Sequence, residues 1–313
     1  MGKALGPLGA PDGNDLRYPR VSPDGHRAAV SRVVEGNADI WLLDGARTSR
    51  FTFDPALDRL PIWSPDGGRI VFYSNRKGHR DLYQGSPTRA GAEELLLASP
   101  QDKGATDWSA DGRFLLYQDL DPQTIHDLWV LPMEGDRTPW VFLKTPFDER
   151  DGTFSPDGRW VAYMSNESGR QEVYVRPFTR PAESGAALPL RSGQAANAAE
   201  RCVRLQPDPA GGQWQVSTAG GLYPRWRRDG KELYYLAPSG AMMAAPITVT
   251  GSTLAPGAPV ALFSTRIVGG GTDNGQGRQY DIASDGRFLI NTVLDEASAP
   301  ITLLQNWQAG VRK

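Results

Sequence analysis

Trp63-Ser64-Pro65-Asp66-Gly67, followed by Gly68-Arg69-Ile70-Val71-Phe72-Tyr73, is the stretch on which the reading of the fold turns. Asp-Gly supplies a tight turn, because Gly tolerates positive φ and Asp bonds its own backbone. The apolar run behind it reads as a strand. The unit recurs as Val21-Ser22-Pro23-Asp24-Gly25, Trp108-Ser109-Ala110-Asp111-Gly112 and Phe154-Ser155-Pro156-Asp157-Gly158. Two looser copies follow, Trp226-Arg227-Arg228-Asp229-Gly230 and Ile282-Ala283-Ser284-Asp285-Gly286. Successive turn aspartates stand 42, 45, 46, 72 and 56 residues apart. The first three spacings match the roughly 40–45 residues of a four-stranded propeller blade.

Working outward, an acidic-apolar-aromatic strand follows each of the first four turns at near-constant offset. These are Asp39-Ile40-Trp41, Asp81-Leu82-Tyr83, Asp127-Leu128-Trp129 and Glu172-Val173-Tyr174, with the aromatic 17 or 18 residues after the turn aspartate. Outer strands are expected at Arg50-Phe51-Thr52-Phe53, Glu94-Leu95-Leu96-Leu97 and Thr138-Pro139-Trp140-Val141-Phe142. The last repeat is expected to use Tyr280-Asp281-Ile282, Arg287-Phe288-Leu289-Ile290 and Pro300-Ile301-Thr302-Leu303-Leu304, which leaves little chain for a fourth strand. The segment near Ala4-Leu5-Gly6-Pro7-Leu8 is expected to supply it, because closing the ring removes an exposed edge. The expectation is an all-β, six-bladed propeller of four-stranded antiparallel blades, with residues 1–313 as one domain.

Composition agrees. The chain holds 35 Gly and 25 Pro, which suits many short strands and tight turns. Lys and Arg (34) balance Asp and Glu (36), so no nucleic-acid surface is expected. No run approaches the roughly 18 apolar residues of a membrane span, and the first residues lack the apolar core of a secretory signal, so no leader is expected there. The 72-residue gap contains an Ala/Gly/Ser/Pro-rich insertion at about residues 180–212. It reads as a surface loop, or as a lid over the axis. It carries Cys202 beside Arg201 and Arg204; no histidine lies near in sequence, and a catalytic thiol is not expected. The glycine-rich residues 268–277 read as a flexible connection.

Aligning the repeats on residues 21, 63, 108, 154, 226 and 282 exposes two polar columns. Four positions before the anchor stand Arg17, Arg59, Gly104, Arg150, Leu222 and Arg278. One position before stand Arg20, Ile62, Asp107, Thr153, Arg225 and Asp281, with Asp58, Glu149 and Asp151 close by. Innermost strands converge on the axis, so Arg17, Arg20, Arg59, Arg150, Arg225 and Arg278 would line a tunnel mouth. Such a ring suits an anionic small molecule or a peptide end. The alternative is a divalent cation such as Ca²⁺ in the tunnel, held by Asp107, Asp151 and Asp281 with His79 or His126. The plainer alternatives are mutually paired charges and exposed loop histidines. No zinc motif, G-x-S-x-G elbow or kinase signature is present.

The Ser-Pro-Asp-Gly unit followed by Asp-Ile-Trp or Asp-Leu-Tyr resembles the TolB-like propeller repeat, over about residues 17–307. Glu172-Val173-Tyr174-Val175-Arg176-Pro177-Phe178, Tyr223-Pro224-Arg225-Trp226-Arg227-Arg228-Asp229-Gly230-Lys231-Glu232-Leu233 and Ile301-Thr302-Leu303-Leu304-Gln305-Asn306-Trp307 further resemble the C-terminal propeller of bacterial membrane-anchored serine/threonine kinase-like proteins. The long insertion departs from that pattern. The resemblance implies an extracytoplasmic sensing or protein-binding module; a monomer is expected. Among other six-bladed propellers are calcium-dependent lactonases and phosphotriesterases, which imply the alternative of a metal-dependent hydrolase. Residue chemistry leaves these alternatives open.

Overall fold

The computed structural model describes residues 3–8, 12–89, 91–180, 212–273, 275, 277–293 and 302–305. Among them there is no helix, and so none long and apolar enough to cross a membrane. Strands assemble into six antiparallel sheets, five of four strands and one of five. In the first four sheets chain order is also spatial order. Blade one runs Asp15–Val21, Arg27–Val34, Asn37–Asp44, Arg47–Arg50, and blade two Asp58–Trp63, Ile70–Lys77, His79–Gly85, Glu94–Leu97. Blade three is Lys103–Trp108, Phe114–Asp121, Ile125–Pro132, Trp140–Leu143, and blade four Arg150–Phe154, Trp160–Ser165, Glu172–Pro177, Trp214–Gln215. Blade five begins Leu222–Trp226, Glu232–Leu236, Ala241–Thr250, and its long third strand pairs with both Thr253–Pro256 and Val260–Ser264. Blade six is Tyr280–Ile282, Phe288–Ile290 and Thr302–Gln305, closed by Lys3–Pro7 from the other end of the chain.

The turns form as their residues dictate. Ser22 Oγ donates to Asp24 at 2.5 Å and accepts the Arg27 N–H at 3.0 Å. Ser64, Ser109 and Ser155 repeat both contacts. Gly67 takes φ +69°, which a side chain would resist. The acid that opens each third strand ties down the connection beyond the outer strand. Asp39 accepts from the Thr52 hydroxyl at 3.4 Å, Asp81 from the Ser99 N–H at 3.3 Å, and Glu172 from the Gly220 N–H at 2.9 Å.

Apolar clusters fill each junction between neighbouring blades. Ile40, Phe51, Phe72 and Tyr83 lie between blades one and two, and Val173, Val175, Leu233 and Tyr235 between four and five. One expectation shifts. The outer strand of blade one is Arg47–Arg50 rather than Arg50-Phe51-Thr52-Phe53, because Phe51 turns inward, fully buried, with its N–H on the Ile40 carbonyl at 2.8 Å. Residues 180–212 interrupt blade four itself, between its third strand and Trp214–Gln215. Residues 181–211, including Cys202, lie outside the described set.

Candidate functional site

The inner strands do not run straight to their anchors. In five blades the pairing slips: between Ala105 and Asp107 in blade three, and over a longer step between Arg17 and Arg20, Arg59 and Ile62, Arg150 and Thr153, and Leu222 and Arg225 in the others. Inside each of the four longer slips one residue adopts left-handed backbone: Tyr18 (φ 55°), Leu60 (57°), Asp151 (53°) and Tyr223 (58°). The residue after it is Pro19, Pro61, Gly152 or Pro224. Proline has no N–H for the ladder, so a strand carrying it inside a sheet must bulge. At Gly152 a Cβ would lie 2.5 Å from Leu116, so the close approach requires glycine. The bulges bring Tyr18, Asp151 and Tyr223, from blades one, four and five, within electrostatic reach of one another.

Beneath them lies a floor of crossed charges. Arg20, 8% exposed, donates to the Thr106 carbonyl and reaches Asp107 at 3.2 Å and Asp281 at 3.5 Å. It thereby spans from blade one to blades three and six. Arg225, 4% exposed, approaches Asp281 at 3.4 Å. Both aspartates also clamp a neighbouring blade. Asp107 accepts the Phe154 N–H and the Thr153 hydroxyl, each at 2.9 Å, and Asp281 accepts the Val21 N–H at 2.8 Å.

The other arginine column forms a rim. Arg17 pairs with Asp15 at 2.6 Å, and Arg150 with Asp148 at 3.2 Å and with Asp273. Asp273 also accepts from the Tyr223 hydroxyl at 3.3 Å. It comes from the glycine-rich connection, which sequence reasoning treated only as a flexible link. Its glycines let it pack closely: a Cβ at Gly271 would lie 2.1 Å from the Ala237 carbonyl, and at Gly277 2.0 Å from the Tyr18 ring. Among the described residues Arg59 Nε has no hydrogen-bond partner, and Arg278, only 2% exposed, leaves Nε and Nη2 without one.

Nε and Nη2 are the two donors on one side of a guanidinium, the edge that grips a carboxylate bidentately. Arg225 leaves the same two atoms without a hydrogen bond, since Asp281 lies off the N–H direction. Burial lowers the pKa of Arg225, yet an arginine starts so high that it stays charged. Burial also raises the Tyr18 hydroxyl to about 12, so it is a neutral donor. It pushes Asp151 up, against the pull of Arg150, Arg225, His126 and Arg20. An unpartnered buried donor costs roughly 1–3 kcal/mol, so these edges call for an acceptor-rich ligand.

The proposed metal ligands do not gather. Asp107 and Asp281 are engaged as above. His126 pairs with Asp148 at 2.7 Å and lies in electrostatic reach of Asp151, whereas His79 is exposed beside Asp102 at 3.8 Å. Among the described residues no three His, Cys, Asp or Glu side chains are placed to hold a metal ion. Tyr18, Tyr223 and Asp273 are the lumen residues that sequence reasoning missed. Proline two places before the anchor was the available signal for the first two.

The TolB beta propeller domain family matches residues 13–199 of the chain. Tricorn protease homolog 1 of Streptomyces coelicolor is 28% identical over 124 residues, 38% of this chain but only 11% of that protein. The chain therefore spans about a tenth of that relative's length. An uncharacterized protein of Agrobacterium fabrum is 25% identical over 222 residues, covering 69% of this chain and 68% of that one. Among solved structures, a putative TolB from Agrobacterium tumefaciens superposes with a TM-score of 0.56 at 15% identity, over 80% and 83% of the two chains. A putative oxidoreductase (glucose dehydrogenase) from Thermus thermophilus gives 0.60 at 12% identity, over 97% and 100%. At such identities the likeness concerns the fold alone.

Proposed function

This chain belongs to the TolB beta propeller domain family, and on that premise we propose that it is a non-catalytic binding module holding a small anion-bearing ligand in its central lumen. The observation that supports the reading is the pair of buried guanidinium edges, Arg225 and Arg278, whose Nε and Nη2 make no hydrogen bond among the described residues. Arg59 and the Tyr18 hydroxyl add donors around the same lumen, and the crossed Arg20, Asp107, Arg225 and Asp281 side chains brace its floor. The resemblance to propellers of membrane-anchored kinase-like proteins supports a sensing role outside the cytoplasm, with the chain acting as one monomeric unit.

Calorimetric titration with small carboxylic acids, with and without amino groups, tests this. Binding of at least one acid, lost in Arg225→Gln and weakened in Arg278→Gln while both variants remain folded, is the expected result. No binding by any acid at millimolar concentration overturns the reading.

A further inference from the structure

The connection between blades five and six takes an indirect route. It leaves the outer strand Val260–Ser264 and leads to the inner strand Tyr280–Ile282 of the next blade. On the way Asp273 pairs with Arg150 of blade four and accepts from the Tyr223 hydroxyl of blade five at 3.3 Å. Gly277 lies against the Tyr18 ring of blade one. Arg150, Tyr223 and Tyr18 stand three or four positions before their anchors, so they mark the same end of the inner strands. Blades one and four face each other in a ring of six. Contacts to both, from residues only four apart in sequence, place this connection at the mouth of the lumen rather than along the outer wall.

Its two ends are held differently. At the root, Ile267 bridges Thr292 of blade six, and the Val268 N–H donates to the Asn291 carbonyl at 2.9 Å. Gly269 (φ +81°) and Gly270 (φ +61°) then turn the chain, and the Gly270 N–H donates to the Ile267 carbonyl at 3.0 Å. At the tip, the Asp273 carboxylate meets two side chains among the described residues, Arg150 and Tyr223. A partly exposed ion pair is a weak fastening. Arg150 also pairs with Asp148 at 3.2 Å, so it keeps a partner when Asp273 leaves.

We propose that residues 267–273 form a latch over the lumen mouth, with Asp273 a built-in carboxylate that an incoming anion displaces from Arg150 and Tyr223. The proposal rests on the reading of the lumen as an anion site and adds how entry to it is controlled. Closed, the latch sets a negative charge on the rim arginine that such a ligand meets, and apparent affinity falls with the fraction of molecules closed. Open, it leaves the Tyr223 hydroxyl and one side of Arg150 to the ligand.

Calorimetry and hydrogen exchange on the whole chain test this, with glutarate and L-glutamate as probes. At least one probe is expected to bind Asp273→Ala roughly tenfold more tightly than the unaltered protein, as for removal of one charge-assisted competitor. Exchange at the Gly270 amide should quicken severalfold, while Val268 at the root keeps its protection. Asp285→Ala removes the same charge from the turn at the opposite end of blade six and should change neither measurement. Equal affinity in the unaltered protein and Asp273→Ala, an equal gain in Asp285→Ala, or an unchanged rate at Gly270 overturns the latch and leaves the anion site standing. If neither probe binds any of the three proteins, the latch and the anion reading both fall.

Discussion

Glu149→Gln is the substitution whose effect can be worked out most fully. Glu149 immediately precedes the inner strand of blade four at 1% exposure, and among the described residues Thr145 alone donates to it, through its hydroxyl and through its N–H at 3.3 Å. Burial, reinforced by the nearby Asp127 and Glu167 charges, raises its pKa from 4.5 to about 7. The folded protein therefore binds a proton that the unfolded chain has already released. Stability from this group is complete below about pH 4.5 and falls as pH rises toward about 7, beyond which it is flat. A shift of this size corresponds to about 3 kcal/mol at 1.36 kcal/mol per unit. Glutamine keeps an acceptor and never ionises. Urea unfolding of both proteins at about pH 4 and about pH 8 should give near-equal stability at the lower pH, and at the higher a variant more stable by about 3 kcal/mol. Asp58 and Asp119, each raised to about 6 by burial, slope the same way in both proteins, so they cancel in the difference. A difference that does not change with pH would refute the reasoning.

Other substitutions probe the lumen and the closure. Asp281→Ala strips Arg20, Arg225 and the Val21 N–H of a shared acceptor and should cost about 3–5 kcal/mol in urea unfolding. Asp281→Asn, which keeps the bond to Val21, should cost less; equal losses would count against the charge argument. Gly277→Ala drives a methyl into the Tyr18 ring at φ +67° and should destabilise by about 1–3 kcal/mol. Gly275→Ala, at φ +76° with nothing within 4 Å, carries only the backbone cost and should melt higher than Gly277→Ala. Deleting residues 1–12 removes the strand Lys3–Pro7 from Thr302–Gln305 and should lower the melting temperature sharply; an unchanged melting point would show that the closing pair contributes nothing.

What was legible in this chain follows from what repeats. Ser-Pro-Asp-Gly marks a turn because every contact that makes it lies within five residues, as at Ser22, Asp24 and Arg27. The acid before each third-strand aromatic holds a constant offset because it fastens the connection beyond the next strand, as Asp39 does through Thr52. The arginine and aspartate columns were visible for the same reason. What alternation hid was direction. A strand read with period two sends Tyr18 and Tyr223 to the face opposite Arg17 and Leu222, whereas the bulge rotates them toward the axis. Pro19, Pro61 and Pro224 should have raised that objection, since a proline inside an inner strand cannot continue its ladder. Gly152 gives no such warning, because its need arises from Leu116 in the neighbouring blade, 36 residues away in sequence. The same holds for Asp273, which meets Arg150 across 123 residues. Glycines around it, read locally, signal freedom; at Gly271 and Gly277 they instead permit close packing against Pro238 and Tyr18. In a repeat fold the positions that break the repeat, a proline in a strand or a glycine-rich connection at the axis, are where the lumen departs from its scaffold, and there one sequence should be searched for a site first.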